Sequence, residues 1–403
     1  MEILENLYQM TAFQAIFNSP ETLFMLSLGA FLLYLGIKKK YEPLLLIPIA
    51  FGIILANLPG GGMGVVAAEN IELDGHRYKN LFEIAHDHGI MNFLYYALIK
   101  TGLLPPLIFM GVGALTDFGP MMRNLRLAFF GAAAQIGIFT VFIAAIALGF
   151  TPQEAGSLGI IGGADGPTAI YTTIKLAPHL LGPIAIAAYS YMSLVPVIIP
   201  LVARRLISKK EMKINMRLQD KLYPPKVKVK NIKLVKILFP IIMIIVIALL
   251  VPSATPLLGM LFFGNLIKEI GTTVGRLTDA ATGTIMNSAT IFLGLTVGAT
   301  MTAEVFLNTK TLGIIVGGFL AFAISIAGGI FAVKFYNLFV KKKINPLIGA
   351  TGLSAVPMAS RVANELALEE DPTNHVLQYC MASNISGVIG SAVAAGVLIT
   401  FLS

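Results

Sequence analysis

The sequence predicts an all-α polytopic membrane protein made of two inverted-topology repeats, each with a helix that breaks at membrane depth. Three observations predict it. The 403 residues are 56% hydrophobic and 12% charged, with a mean hydropathy of +0.81, far outside the range of soluble domains. The apolar residues gather into runs long enough to cross or enter a bilayer. Two of those runs are interrupted by glycine and proline, and residues around them coincide at an offset of 190 positions.

In chain order the runs are 22–37, 43–58, 91–115, 127–150, 156–176, 180–203, 237–251, 255–270, 280–300, 311–333, 346–363 and 375–402. A helical span takes about 20 apolar residues, so the shorter runs tilt little or stay partly wet. Cations mark the cytoplasmic ends. Lys38 to Lys40, Arg123 with Arg126, the segment 204–236 and Lys341 to Lys343 are therefore placed inside. This puts the N-terminus outside, together with the acidic, glycine-rich loop from Pro59 to His88. The opening residues MEILENLYQM lack the basic stretch and cleavage site of a signal peptide and are expected to stay in the mature chain.

Three runs lie between Arg126 and Arg204, and three full crossings would leave those two cations on opposite sides. One run must enter and leave by the same face. The glycine-broken run 156–176 is expected to dip in from outside, and by the same count 345–363 dips in from the cytoplasm. The expected units are a first repeat over 1–203, a basic cytoplasmic linker over 204–236 and a second repeat over 237–403. Gly159 answers Gly349, Gly162 answers Gly352, Pro167 answers Pro357, Ala169 answers Ala359, Tyr189 answers Tyr379 and Ser193 answers Ser383. Upstream, Val112-Gly113-Ala114 answers Val297-Gly298-Ala299, and Phe51-Gly52 answers Phe263-Gly264. Inverted repeats with discontinuous helices place substrate and ion sites near the bilayer midplane.

The segment GIIGGADGPTAIYTT (Gly159 to Thr173) carries Asp165 in that position. An acid at a helix centre costs roughly 2.5 to 3.5 kcal/mol on insertion scales, so an intramembrane carboxylate marks function by default. Broken backbone at that depth is tolerated only where it is buried or lines a cavity. The alternative for Asp165 is a structural acid paired with an arginine or capping a half-helix.

Charge and the remaining motifs exclude other classes. The net charge of +8 comes largely from the linker, where 12 of the 29 Lys and Arg lie between Arg204 and Lys236. That is a topology signal near anionic lipid, or a docking face for a soluble partner, and not a nucleic-acid surface. The single cysteine, Cys380, excludes an intrachain disulfide and a thiolate metal cluster. The cluster His86-Asp87-His88 lacks further ligands and reads as solvated loop. Glu365, Glu369, Glu370 and Asp371 read as a polar turn before the last run. Lys175 is either an interfacial snorkeller or a counter-charge. With no Walker motif, direct use of ATP is not expected.

GGADGPTAI, NPLIGATGLSAVPMASR and NISGVIGSAVAAG together resemble the beta subunit of the sodium-pumping biotin-dependent decarboxylases, which act on oxaloacetate, methylmalonyl-CoA, glutaconyl-CoA or malonate. The resemblance runs over nearly the whole chain. It implies that a carboxyltransferase and biotin-carrier alpha subunit delivers carboxybiotin, which this subunit decarboxylates while exporting sodium and consuming a proton drawn from outside. It also implies a small single-span gamma subunit, a homotrimeric beta core, an elevator-like motion and a prokaryotic inner membrane. By motif position it puts functional roles on Asp165, Tyr191, Asn345, Gly349, Ser354, Arg361 and Asn384.

Within that resemblance, Asp165, Asn345, Ser354 and Asn384, with carbonyls of the Gly349 region, offer the oxygen ligands that sodium prefers. Burial disfavours the charge on Asp165 while a bound cation favours it, so proton and sodium compete for one carboxylate. Arg361 either snorkels to the interface or docks the two oxygens of carboxybiotin through its planar guanidinium, and Asn384 is expected to contact the ion or the carboxybiotin. Tyr191 either donates a proton to biotin or anchors the helix at the interface. The rival reading for the whole chain is a sodium-coupled carrier of an organic anion that breaks no bond.

Overall fold

The computed structural model describes residues 11–12, 16, 19–40, 43–65, 81–223, 231–355 and 357–403. The N-terminus expected outside, and residues 66–80 of the acidic loop, lie beyond the described residues. What is described is helical, with no strand among it. Six helices are long and apolar enough to cross a membrane, and two bent helix pairs raise the number to eight. Phe31, Ile143, Leu148, Leu249, Leu250, Val316 and Phe335 are each more than half exposed. Such a belt suits hydrocarbon and not water. The chain is a multi-pass membrane protein.

The first helices are α1 (Pro20–Lys38) and α2 (Pro43–Ala56). The run 91–115 is not one straight span: α3 (Leu81–Leu94) and its continuation to Ile99 bend by 64° into α4 (Leu104–Leu115). Pro105 and Pro106 stand in the first turn of α4, where a missing N–H costs no hydrogen bond but the preceding turn cannot continue. His86, Asp87 and His88 sit on α3, and His86 Nδ1 bonds Asp87 Oδ1 at 3.0 Å. No group of three or more metal-ligating side chains occurs among the described residues.

Next come α5 (Leu125–Ala134) and α6 (Ile136–Ala147), then the first broken segment. It consists of α7 (Pro152–Gly159), a tight turn over Ile160–Gly163, and α8 (Gly166–Leu176). The start of α7 is set by a capping box between Thr151 and Glu154. Lys175 is exposed near the end of α8, with Nζ 6.0 Å from the centroid of the Tyr171 ring. The chain continues in α9 (Leu181–Ser193) and α10 (Val195–Leu206), which form the second bent pair.

In the second half, α11 (Ile232–Leu250), α12 (Thr255–Ile270), α13 (Met286–Ala299) and α14 (Thr309–Phe339) precede the second broken segment. That segment holds α15 (Leu347–Ala350) and α16 (Met358–Glu370), and α17 (Leu377–Leu402) closes the chain. Here the structure corrects the sequence reading. Glu365, Glu369 and Glu370 are not in a polar turn but on α16, which runs on past residue 363. The helix is amphipathic, with Arg361, Glu365 and Glu369 exposed and Val362, Ala363, Leu366 and Ala367 buried, so its polar stripe satisfies water without a turn.

Charges collect at two ends of the helix bundle. On α14, Lys310 pairs with Glu154 at 3.0 Å at one end, and Lys334 pairs with Glu211 at 3.1 Å at the other. Lys236 with Asp117 at 2.8 Å and Lys342 with Asp220 at 2.7 Å accompany the second group. The two halves interlock through glycine. A Cβ on Gly52 of α2 would lie 2.3 Å from the Leu295 carbonyl oxygen of α13, and one on Gly113 of α4 would lie 1.9 Å from that of Leu261 in α12. Gly298 and Gly264 return the contact, where a Cβ would lie 2.1 Å from the Ile49 carbonyl oxygen and 1.9 Å from that of Met110 respectively. Small residues at such crossings let backbones touch where lipid supplies no hydrophobic drive.

Candidate functional site

The two broken segments meet at their breaks. In the first, Ala164 takes a left-handed conformation (φ 55°), which turns the chain so that Asp165 becomes the N-cap of α8. Asp165 Oδ1 accepts from the Thr168 N–H at 3.2 Å. The partial positive charge of a helix N-terminus favours a carboxylate there. In the second, the Ser354 N–H donates to the Gly163 carbonyl at 2.9 Å, and the Ser354 hydroxyl donates to Asp165 Oδ2 at 2.9 Å. A third element, α17, adds the Ser391 hydroxyl, 3.1 Å from the same oxygen.

Asp165 is 6% exposed, and no cation contacts it among the described residues. Its neighbours are hydroxyls and an amide N–H. The arrangement can hold a negative charge in an apolar bundle or exchange its partners for a cation, because hydroxyls donate to a carboxylate and equally offer lone pairs to a metal ion. Around the break stand further buried oxygens without a hydrogen-bond partner, among them Gln135 Oε1 and Ser325 Oγ. An unsatisfied buried polar group costs about 1 to 3 kcal/mol, so each calls for a reason.

The residues singled out by the sequence fall in several places. Asp165 and Ser354 are in direct contact. Asn384 lies one link away: its Nδ2 donates to the carbonyl of Leu353, and its Oδ1 accepts from Ser360 at 3.4 Å. Gly349 packs backbone to backbone on α14, where a Cβ would sit 2.1 Å from the Gly329 carbonyl oxygen. Asn345 is occupied elsewhere, its Nδ2 donating to the carbonyls of Met212 (2.7 Å) and Ile214 (3.1 Å) in the basic linker. Tyr191 donates to the Ile315 carbonyl of α14 and packs beside Phe319 and Phe322. Arg361 is exposed on α16 with no ion pair among the described residues.

Sequence reasoning missed Ser391, and it did not mark the unpaired Gln135 and Ser325 beside the break. Ser391 follows Asn384 by seven residues, two helical turns along the same face, which is the one signal that pointed to it. Gln135 and Ser325 have no such mark.

Comparison with known proteins agrees with the motifs. The chain is 47% identical to the methylmalonyl-CoA decarboxylase subunit beta of Propionigenium modestum, an alignment covering 99% of each chain. It is 45% identical to the oxaloacetate decarboxylase beta chain 2 of Salmonella typhi over 94% of each. Residues 21–402 match the family model described as Na+-transporting oxaloacetate decarboxylase beta subunit. With a match of that length, buried-acid geometry to go with it and relatives this similar end to end, the chain belongs to the beta subunits of the sodium-translocating biotin-dependent decarboxylases.

Proposed function

We propose that this subunit decarboxylates carboxybiotin presented by a soluble biotin-carrying partner and couples that step to sodium export, taking up a proton from outside. The observation that carries the reading is the burial of Asp165 where the two breaks touch, ringed by Ser354 and Ser391 hydroxyls. One buried carboxylate with oxygen neighbours binds either a sodium ion or a proton, so loading one releases the other.

In the decarboxylation the bond between the ureido nitrogen of biotin and the carboxyl carbon breaks, carbon dioxide leaves, and the nitrogen takes a proton. Arg361, exposed and without an ion pair among the described residues, suits the docking of the carboxylate through two parallel hydrogen bonds. Tyr191, a buried phenol on α9, is assigned the proton transfer. The reciprocal packing of Gly52 with Gly298 and Gly113 with Gly264 supports the inverted-repeat reading, because each half lends one early and one late helix to the other. An elevator-like shift of one unit, a carboxyltransferase and biotin-carrier alpha subunit, a small gamma subunit, a homotrimeric core and a prokaryotic inner membrane with the N-terminus outside complete the assignment.

The test is chemical. The purified subunit with its partners, given carboxybiotin in detergent, releases carbon dioxide faster in sodium than in potassium. No release above that of carboxybiotin alone, in sodium or in potassium, would favour a carrier of organic anions that breaks no bond.

A further inference from the structure

We infer that Gln135 and Ser325 complete the sodium site around Asp165, Gln135 through its side-chain carbonyl and Ser325 through its hydroxyl. The inference rests on the reading of Asp165 as the sodium site. Gln135 is 6% exposed and stands at the junction of α5 and α6. Its Nε2 faces three carbonyls, those of Gly131 (3.0 Å), Gly352 (3.3 Å) and Gly387 (3.5 Å), which fixes which end of the amide is nitrogen. The carbonyl end is thereby turned away from every one of those acceptors. It has no hydrogen-bond partner.

Where it points is the first break. Oε1 lies 3.6 Å from the place a Cβ on Gly163 would occupy, and Ser391 Cβ lies 2.8 Å from that same place. Ser391 in turn holds Asp165 Oδ2. The Gln135 carbonyl and a partner of the carboxylate therefore flank one glycine, two positions before Asp165. Ser325 is fully buried on α14, its hydroxyl also has no partner, and it lies 3.0 Å from the corresponding place on Gly162. Two unpaired oxygens thus border the glycine pair that precedes the acid.

Neutral oxygens beside a single carboxylate suit a monovalent cation, whose one charge the acid balances while the dipoles replace lost water. Gln135 also spans the two breaks: its nitrogen grips Gly352 in the second while its oxygen faces Gly163 in the first. A ligand held this way keeps its place only while the two breaks are together, which ties the site to their contact.

The test is sodium chloride titration by calorimetry on the assembled complex in a choline chloride background. Ser325→Ala and Gln135→Met are each expected to raise the sodium Kd tenfold or more, while Gln135→Glu, which keeps an oxygen but loses the N–H donors, raises it several-fold less than Gln135→Met. Wild-type affinity in both Ser325→Ala and Gln135→Met overturns the inference. So does equal weakening by Glu and Met, which would reduce Gln135 to a backbone brace. Should Gln135→Met fail to assemble, Ser325→Ala decides by itself. Asp165→Asn separates the two levels: unchanged sodium binding there removes the underlying site, whereas lost binding there with wild-type Kd in the Gln135 and Ser325 variants removes only this inference.

Discussion

The hydroxyl of Ser354 donates to Asp165 Oδ2 at 2.9 Å across 189 residues of sequence, joining the break of one interrupted helix to the break of the other. That bond, with the Ser354 N–H on the Gly163 carbonyl, makes the carboxylate a shared property of both halves. A hydrogen bond to a charged group contributes about 1.5 to 3 kcal/mol, or roughly tenfold to a hundredfold in an equilibrium. Ser354→Ala is therefore expected to raise the sodium concentration for half-maximal turnover at least tenfold. Asp165→Asn is expected to abolish sodium-dependent carbon dioxide release in a subunit that still folds, read by size-exclusion profile. Wild-type coupling in Asp165→Asn would take the residue out of the mechanism.

Gly329 and Gly349 admit no side chain. A Cβ on either lies 2.1 Å from the carbonyl oxygen of the other, well inside contact distance. Gly349→Ala must push the second broken segment off α14, and overpacking of this kind costs about 1 to 3 kcal/mol. A drop in melting temperature of the detergent-solubilised subunit checks it, and an unchanged melt would mean that the segment has room to move.

Asn345 and Asn374 share a task. Both side-chain amides donate to the same two carbonyls, those of Met212 and Ile214, and so clamp the basic linker to the two ends of the second broken segment, Asn345 ahead of α15 and Asn374 just beyond α16. Asn345→Ala should speed hydrogen exchange across 209–222 before it changes sodium affinity. The opposite order would put Asn345 on the ion.

In the linker, Glu211 titrates below its ordinary value. Partial burial pushes its carboxyl up from 4.5, but bonds from the backbone and hydroxyl of Ser208 and the ammonium of Lys334 outweigh burial and bring it down. A lowered carboxylate stabilises the fold fully above its ordinary pKa of 4.5 and loses that contribution as pH falls through the lowered value. The linker should therefore loosen on acidification below 4.5, and Glu211→Gln should flatten that part of the curve of melting temperature against pH.

Orientation is open to chemical labelling. Cys380 is fully buried, so introduced thiols report alone. Glu304→Cys and Lys341→Cys, both at exposed positions beyond opposite ends of α14, are expected to react from outside and from the cytoplasm respectively. The reverse pattern would invert the assigned topology.

The sequence by itself determined the class of protein, both breaks and the acid at the first of them, but not the number of spans: of its twelve apolar runs, six helices cross by length and composition and two bent pairs bring the number to eight among the described residues. Those features are local: hydropathy sums over a window, glycine and proline end a helix where they stand, and a carboxylate among apolar residues is conspicuous in one dimension. Only the tertiary structure decided which oxygens surround Asp165. Ser354 was foreseen by motif, but Ser391, 226 residues away, was not, and Asn345 turned out to hold the Met212 and Ile214 carbonyls. In lipid a helix face toward the bundle and a face toward the bilayer are equally apolar, so periodicity cannot say which sides meet. Close contact of small residues fixes that choice, and with it the polar atoms that end up together.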